Sequence, residues 1–303
     1  MRVNFFLGFL FILLSFGLLA FYWFFPFGVH EFEIHGPKHS NFSLNGTEGM
    51  QFYDNMRYPS SRISYRIDEC TLQKKQDMEM AFEILSNKTI LGFYPVNSEE
   101  EISVTCNSKN KIESGMFIAG EGGPVNITKT DNFNVILNGK ILLIRSSECA
   151  TPNIGLHELL HALGFNHSSN PNNIMYSISN CEQTLGEDVF ILINKLYSYP
   201  SEPDLSFENV SAVMNGRYLD VNFSVRNNGL KKSEEAKIII YADGSDVKEV
   251  ELSSLEVGYG RAITIQNIWV KKMSVNELEF FIETSFKELE KENNKIILKI
   301  KKN

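Results

Sequence analysis

The sequence predicts a multidomain chain, with an N-terminal transmembrane helix, an α/β domain and a C-terminal all-β sandwich. Three observations predict it. An unbroken apolar run fills Phe5 to Phe27. Strand-like and helix-like periods alternate from about residue 60 to residue 200. Beyond Pro203 the apolar period settles at two. The expected boundaries are 1–28 for a membrane signal-anchor, 29–59 for a stalk or short propeptide, 60–200 for the α/β domain and 204–303 for the sandwich.

The anchor comes first. A helix over Phe5–Phe27 would reach roughly 30 Å at about 1.5 Å per residue, enough for a bilayer core. Arg2 precedes the run, and Glu31 and Glu33 follow it. The positive-inside rule then leaves the N-terminus cytoplasmic and the rest outside a single-pass cell-membrane protein. A cleaved signal peptide is the rival reading. Its apolar core is usually shorter and ends in a small-x-small site. Here the run ends in Tyr22-Trp23-Phe24-Phe25-Pro26, an aromatic belt. Seven Asn-x-Ser/Thr sequons, at Asn41, Asn45, Asn87, Asn126, Asn166, Asn209 and Asn222, fit an exported chain. Asn166 is expected to stay unmodified, because a glycan there would block the site argued below. The net charge of −8 argues against a nucleic-acid partner.

Residues 29–58 are polar, and His30, His35 and His39 within them lack any spacing that organises a metal site. From Arg62 the α/β pattern begins. Ile63, Tyr65 and Ile67 alternate as in a strand. Met78, Ala81, Phe82 and Leu85 recur as the apolar face of a helix. Thr89–Val96 and Ile102–Cys106 read as strands. Val135–Leu137 and Ile141–Ile144 flank Asn138-Gly139, which predicts a tight hairpin. A helix is expected from Thr151-Pro152, a capping residue followed by proline at the first helical position. A last helix is expected from Thr184, with Glu187 completing a capping box.

Tyr199-Pro200-Ser201-Glu202-Pro203 breaks that helix. Leu219, Val221, Phe223 and Val225 then alternate with polar residues. Further strands are expected near 238–241, 247–252, 263–270, 278–284 and 296–300. About seven strands in roughly 100 residues describe a sandwich.

His157-Glu158-Leu159-Leu160-His161 carries the chemistry. Histidines four apart on a helix reach the same side and can share one zinc ion. Leu156, Leu160 and Leu163 are placed to pack the other side. Gly164 can turn the chain out of the helix through the left-handed region, bringing His167 back as third ligand. Three neutral imidazoles leave a fourth position for water, whose pKa zinc lowers towards ~7. Glu158 can take its proton and deliver it to the leaving amine.

The stretch from His157 to His167 resembles the metzincin zinc signature, and Asn173-Ile174-Met175-Tyr176 resembles the Met-turn. The resemblance is to the matrixins and extends over roughly residues 60–198. It implies an α/β zincin-type catalytic domain, with Met175 as an apolar floor beneath the metal. It also implies a twisted, mostly parallel sheet whose antiparallel edge strand takes the substrate as an extra strand. Two departures stand out. No cysteine lies in residues 28–60 to cap the zinc, as occurs in many matrixin zymogens. There is also no second histidine cluster and no convincing acidic calcium loop, which leaves calcium open. The tail resembles CARDB, a cell-adhesion-related immunoglobulin-like domain of surface proteins. The residues that carry this are Val225-Arg226-Asn227-Asn228-Gly229, Tyr241-Ala242-Asp243-Gly244, 255–258 and 288–294.

Cys70, Cys106, Cys149 and Cys181 are too far apart for CxxC metal clusters, and in an exported chain they suggest two disulfides. Four cysteines allow three connectivities. Placement favours Cys70–Cys106, across two neighbouring strands, and Cys149–Cys181, closing a loop that holds all three histidines and Met175. The leading expectation is a membrane-anchored extracellular zinc endopeptidase acting on protein or peptide substrates, with a surface ligand for the sandwich. Two rivals stay open. One is a peptidase restricted to short peptides or termini. The other is a surface adhesion protein whose zinc domain is weakly active.

Overall fold

The computed structural model describes residues 2–24, 28–35, 49–107, 109, 111–113 and 116–301. Gly36, His39 and Gly46, and the sequons at Asn41 and Asn45, lie outside the described residues. The apolar run forms helix α1, Arg2–Phe24. Its side chains are described over residues 8–20, about 20 Å of helix at ~1.5 Å per residue. Among the described residues no helix is long and apolar enough to cross a membrane.

After α1 comes strand β1, Val29–Ile34. The α/β domain then runs β2 (Met56–Arg57), β3 (Arg62–Asp68), α2 (Leu72–Lys88), β4 (Gly92–Pro95), β5 (Ile102–Cys106), β6 (Lys111–Glu113), β7 (Met116–Ile118), β8 (Gly120–Lys129), β9 (Asn134–Leu143), α3 (Asn153–Ala162) and α4 (Glu187–Tyr197). Five strands lie in the order β2-β9-β5-β3-β4, and every neighbouring pair is parallel. β8 runs antiparallel along the length of β9. The face that α2 turns inward is the one its period selects: Met78, Ala81, Phe82 and Leu85 are all buried. They share one core with Leu156, Leu159 and Leu160 of α3 and with Val189, Leu192 and Ile193 of α4.

Three local expectations are corrected. The Asn138-Gly139 hairpin does not form, because β9 runs straight through both residues. Gly139 is needed there for close approach. A Cβ on it would lie 2.2 Å from the Tyr58 hydroxyl and 3.3 Å from the Ala162 carbonyl oxygen. The zinc-motif helix starts one residue later than expected, with Pro152 as its cap. The capping box at Thr184 is also absent. Thr184 pairs instead with the Met-turn segment: its N–H donates to the Asn172 carbonyl at 3.0 Å, and its own carbonyl accepts from Ile174 at 2.9 Å. α4 therefore begins at Glu187, behind Gly186.

The sandwich contains β10 (Leu205–Asn215), β11 (Tyr218–Asn227), β12 (Ala236–Ala242), β13 (Ser245–Leu252), β14 (Gly260–Trp269), β15 (Glu277–Glu283) and β16 (Lys295–Ile300). Asp243 and Gly244, both at positive φ, close the β12–β13 hairpin. The strand path is β13-β12-β15-β16-β1-β10-β11-β14. β1 comes from the segment expected as a stalk. Val29–Glu31 pair with β10, and Phe32–Ile34 pair with β16. Phe32 is buried with Leu205, Phe207, Phe223 and Phe280 in the sandwich core. The stalk expectation failed because the Val29–Ile34 strand is too short and polar to signal itself. Its partners lie more than 170 residues away.

The two domains touch. Leu230 and Val257 of the sandwich join the core of the α/β domain. Arg226 Nη2 donates to the Lys129 carbonyl at 2.7 Å, at the end of β8.

Candidate active site

α3 presents His157 and His161 from successive turns, both buried, with Glu158 buried between them. The helix then ends in a Schellman arrangement. Gly164 N–H bonds the His161 carbonyl at 2.9 Å, and Phe165 N–H bonds the Leu160 carbonyl at 3.0 Å. Gly164 sits at φ 93°, and a Cβ on it would lie 2.8 Å from Met56 Cβ. Conformation and space both demand glycine here. The turn brings exposed His167 back over the two helical histidines.

The three rings converge through Nε2. His161 Nε2 lies 3.0 Å from His157 Nε2 and 3.2 Å from His167 Nε2. Tetrahedral zinc bonds of about 2.0–2.1 Å would separate ligand nitrogens by about 3.3 Å. The other nitrogens of the helical pair are occupied. His157 Nδ1 faces the Ile174 carbonyl at 2.6 Å, and His161 Nδ1 faces the Phe165 carbonyl at 2.8 Å. A proton on each Nδ1, donated to its carbonyl, leaves an Nε2 lone pair for a metal. Burial, then neighbouring His157, pushes His161 down to about 4, and burial also lowers His157 and His167. Three neutral imidazoles aimed at one point fit zinc. Among the described residues this is the one cluster of His, Cys, Asp or Glu whose ligand atoms gather within 4.8 Å.

Met175 is buried in the same core as Ile174 and Leu156. Its turn is held by Asn173 Oδ1, which accepts the Met175 N–H at 2.8 Å, and by the Met175 carbonyl, which accepts from Ser168 at 2.8 Å. Both disulfides pair as placement suggested, Cys70–Cys106 and Cys149–Cys181. The first joins the end of β5 to the residues after β3. The second closes the segment that carries α3, His167 and Met175.

Sequence reasoning did not identify the wall opposite Glu158. β8 crosses α3 so closely that Cβ atoms on Gly120 and Gly122 would meet Glu158 at 2.7 and 2.2 Å. Two glycines two apart on one strand face mark such a backbone approach, a signal that the sequence carries at Gly120 and Gly122. Glu121 lies between them and forms an ion pair with Lys111 of the β6–β7 hairpin. Burial, then Glu121, pushes Glu158 up to about 8. Phe52 was also missed. It stacks on His161 at 5.7 Å between ring centroids, and its N–H bonds the Gly164 carbonyl at 2.9 Å.

Residues 57–198 match the family model for Matrixin, and residues 202–297 match that for CARDB. A search of curated proteins finds no match. Among solved structures, the CARDB domain of a Pyrococcus furiosus protein, crystallised in complex with di-metal ions, is 17% identical. The alignment covers 33% of this chain and 88% of that one, with a TM-score of 0.28. From these matches and their order, the chain carries a matrixin-like domain followed by a CARDB-like domain.

Proposed function

We propose that this chain is a zinc-dependent endopeptidase that cleaves extended protein segments outside the cell, with α1 attaching it to the membrane. The observation that carries the reading is the convergence of three Nε2 atoms beside buried Glu158, on a helix pressed against an antiparallel edge strand. His157, His161 and His167 would hold the zinc. Zinc, when bound, supplies a Lewis acid that polarises a scissile carbonyl and acidifies water.

The chain's own residues do the rest. The outer edge of β8 offers backbone donors and acceptors to an extended substrate. Glu158 takes a proton at its carboxylate and returns it to the leaving amine. A cation beside it favours the ionised carboxylate against the burial that raises it. Support for export comes from the two disulfides and from the five described sequon asparagines, all exposed. Support for membrane attachment comes from the exposed apolar side chains of α1, Phe9 through Leu19.

The test incubates the purified chain with an unfolded protein, with and without a zinc chelator. Internal cleavage that stops with chelator and returns with zinc is the expected result. Release of terminal residues alone, or no turnover in the zinc-loaded chain, would refute the endopeptidase reading. Protease shaving of intact cells should release an ectodomain that high-salt washing leaves in place.

A further inference from the structure

A second polar cluster lies where the interdomain linker enters the sandwich. Asp204 is 1% exposed. One of its carboxylate oxygens accepts from Asn293 Nδ2 at 2.8 Å, and its backbone carbonyl accepts from the Asn228 N–H at 2.7 Å. Glu288 adjoins it. Oε1 accepts the Leu205 N–H at 2.9 Å, while Oε2 accepts from Asn294 Nδ2 at 2.6 Å and Thr284 Oγ1 at 2.9 Å. Asn228 Nδ2 donates to Asp131 of the catalytic domain at 3.0 Å and to Ser206 Oγ at 2.9 Å.

The carboxamide oxygens of Asn228, Asn293 and Asn294 are buried and accept no hydrogen bond. Asn228 is 1% exposed and Asn294 3%. An orphaned carboxamide oxygen is normally satisfied by turning the amide over, exchanging oxygen and nitrogen. Here that turn would set each oxygen against a carboxylate. Neither orientation satisfies the cluster from protein atoms alone. A cation does, because it draws carboxylate and carboxamide oxygens together. Burial, then the Glu288, Glu290 and Asp131 carboxylates, pushes Asp204 up to about 6, opposed by Asn293, a neutral donor. The carboxylates do not gather on one point unaided, as the histidines do, so carboxamide ligands are required. An all-oxygen set of this kind suits a hard cation of the calcium class, and it offers no nitrogen or sulfur to attract zinc.

We propose that Asp204, Glu288, Asn293 and Asn294 form a second metal site, for a calcium-class divalent cation, which Asn228 and Asp131 tie to the catalytic domain.

The experiment is equilibrium dialysis of the zinc-loaded full chain, in detergent, against radiolabelled Ca2+, paired with thermal unfolding. Wild type should retain one calcium ion that raises the unfolding midpoint of the sandwich. Glu288→Gln should weaken that binding at least tenfold with zinc content unchanged. Asn293→Asp supplies a further carboxylate and should tighten it. A purely structural hydrogen-bond network would lose stability in both variants and tighten calcium in neither. No calcium bound at millimolar concentration, or equal affinity in wild type and both variants, would overturn the site. If Glu288→Gln fails to fold, the wild-type stoichiometry and Asn293→Asp still decide it.

Discussion

The backbone of Gly122 on β8 lies so near the backbone of Glu158 on α3 that a methyl group on Gly122 would come 2.2 Å from the Glu158 carbonyl oxygen. The candidate base and the edge strand proposed to receive substrate are thus fixed to each other by main-chain contact. Gly122→Ala should push β8 away from α3. The expected cost is about 1–3 kcal/mol of stability, as for overpacking, with a loss of at least tenfold in kcat/KM. Urea unfolding and peptide turnover measure the two. Gly123, where a Cβ meets nothing within 4 Å, serves as the control: Gly123→Ala should leave turnover near wild type.

Glu158→Ala should keep zinc and lose turnover by ~100- to 10,000-fold, the usual contribution of a general acid–base. His161→Ala should lose the metal itself. Metal analysis beside a fluorogenic peptide assay separates the two, and full turnover in Glu158→Ala would end the mechanism.

The two disulfides close loops of similar length, with sequence separations of 36 and 32. Removing either should therefore cost a similar ~3–4 kcal/mol in the chain-entropy model. Their effects on zinc should differ. Cys149→Ser frees the segment bearing α3, His167 and Met175, whereas Cys70→Ser frees only the tie between β5 and the residues after β3. Zinc release to a chromogenic chelator should be faster in Cys149→Ser, and equal rates would contradict the assignment.

Phe32 belongs by sequence to the segment before the α/β domain and by packing to the sandwich core. Phe32→Ala should destabilise the sandwich by about 3–5 kcal/mol, as for a buried aromatic, while zinc content stays unchanged. Two-transition calorimetry would show which domain melts early. An unchanged sandwich transition would mean β1 adds nothing to it.

In calcium-free solution Asp204 holds its proton more tightly folded, at about 6, than its ordinary 3.8. Between those values the unfolded chain carries fewer protons than the folded one, so this group's contribution to stability falls as pH rises. The loss approaches ~3 kcal/mol above pH 6. Urea unfolding in chelator should show wild type losing stability relative to Asp204→Asn between pH 4 and 7. A difference of opposite sign would contradict it.

The zinc motif was legible because helix geometry is local. His157 and His161 needed only their spacing of four, and Gly164 only its freedom at positive φ, to imply a shared face and a returning His167. The period of α2 and the alternation of β11 were legible for the same reason. Gly139 and Thr184 misled because each carries a strong local signal that a distant contact overrides. Tyr58 and Ala162 press on the backbone at Gly139, and the Met-turn segment captures Thr184.

The sequence by itself therefore pointed to the three histidines that converge, to Glu158 between them and to the order of the two domains, while it left three disulfide connectivities open and only placement favoured the pairs that form. Only the tertiary structure decided that β8 forms the wall against Glu158, that Phe52 stacks on His161, that Val29–Ile34 completes the sandwich, and that Asp204, Glu288 and the buried asparagines meet at the domain junction. The physical reason is range. Residues within one or two turns of a helix are neighbours whatever the rest of the chain does, whereas strand pairing and backbone contact join residues tens to hundreds of positions apart. No local period records those encounters.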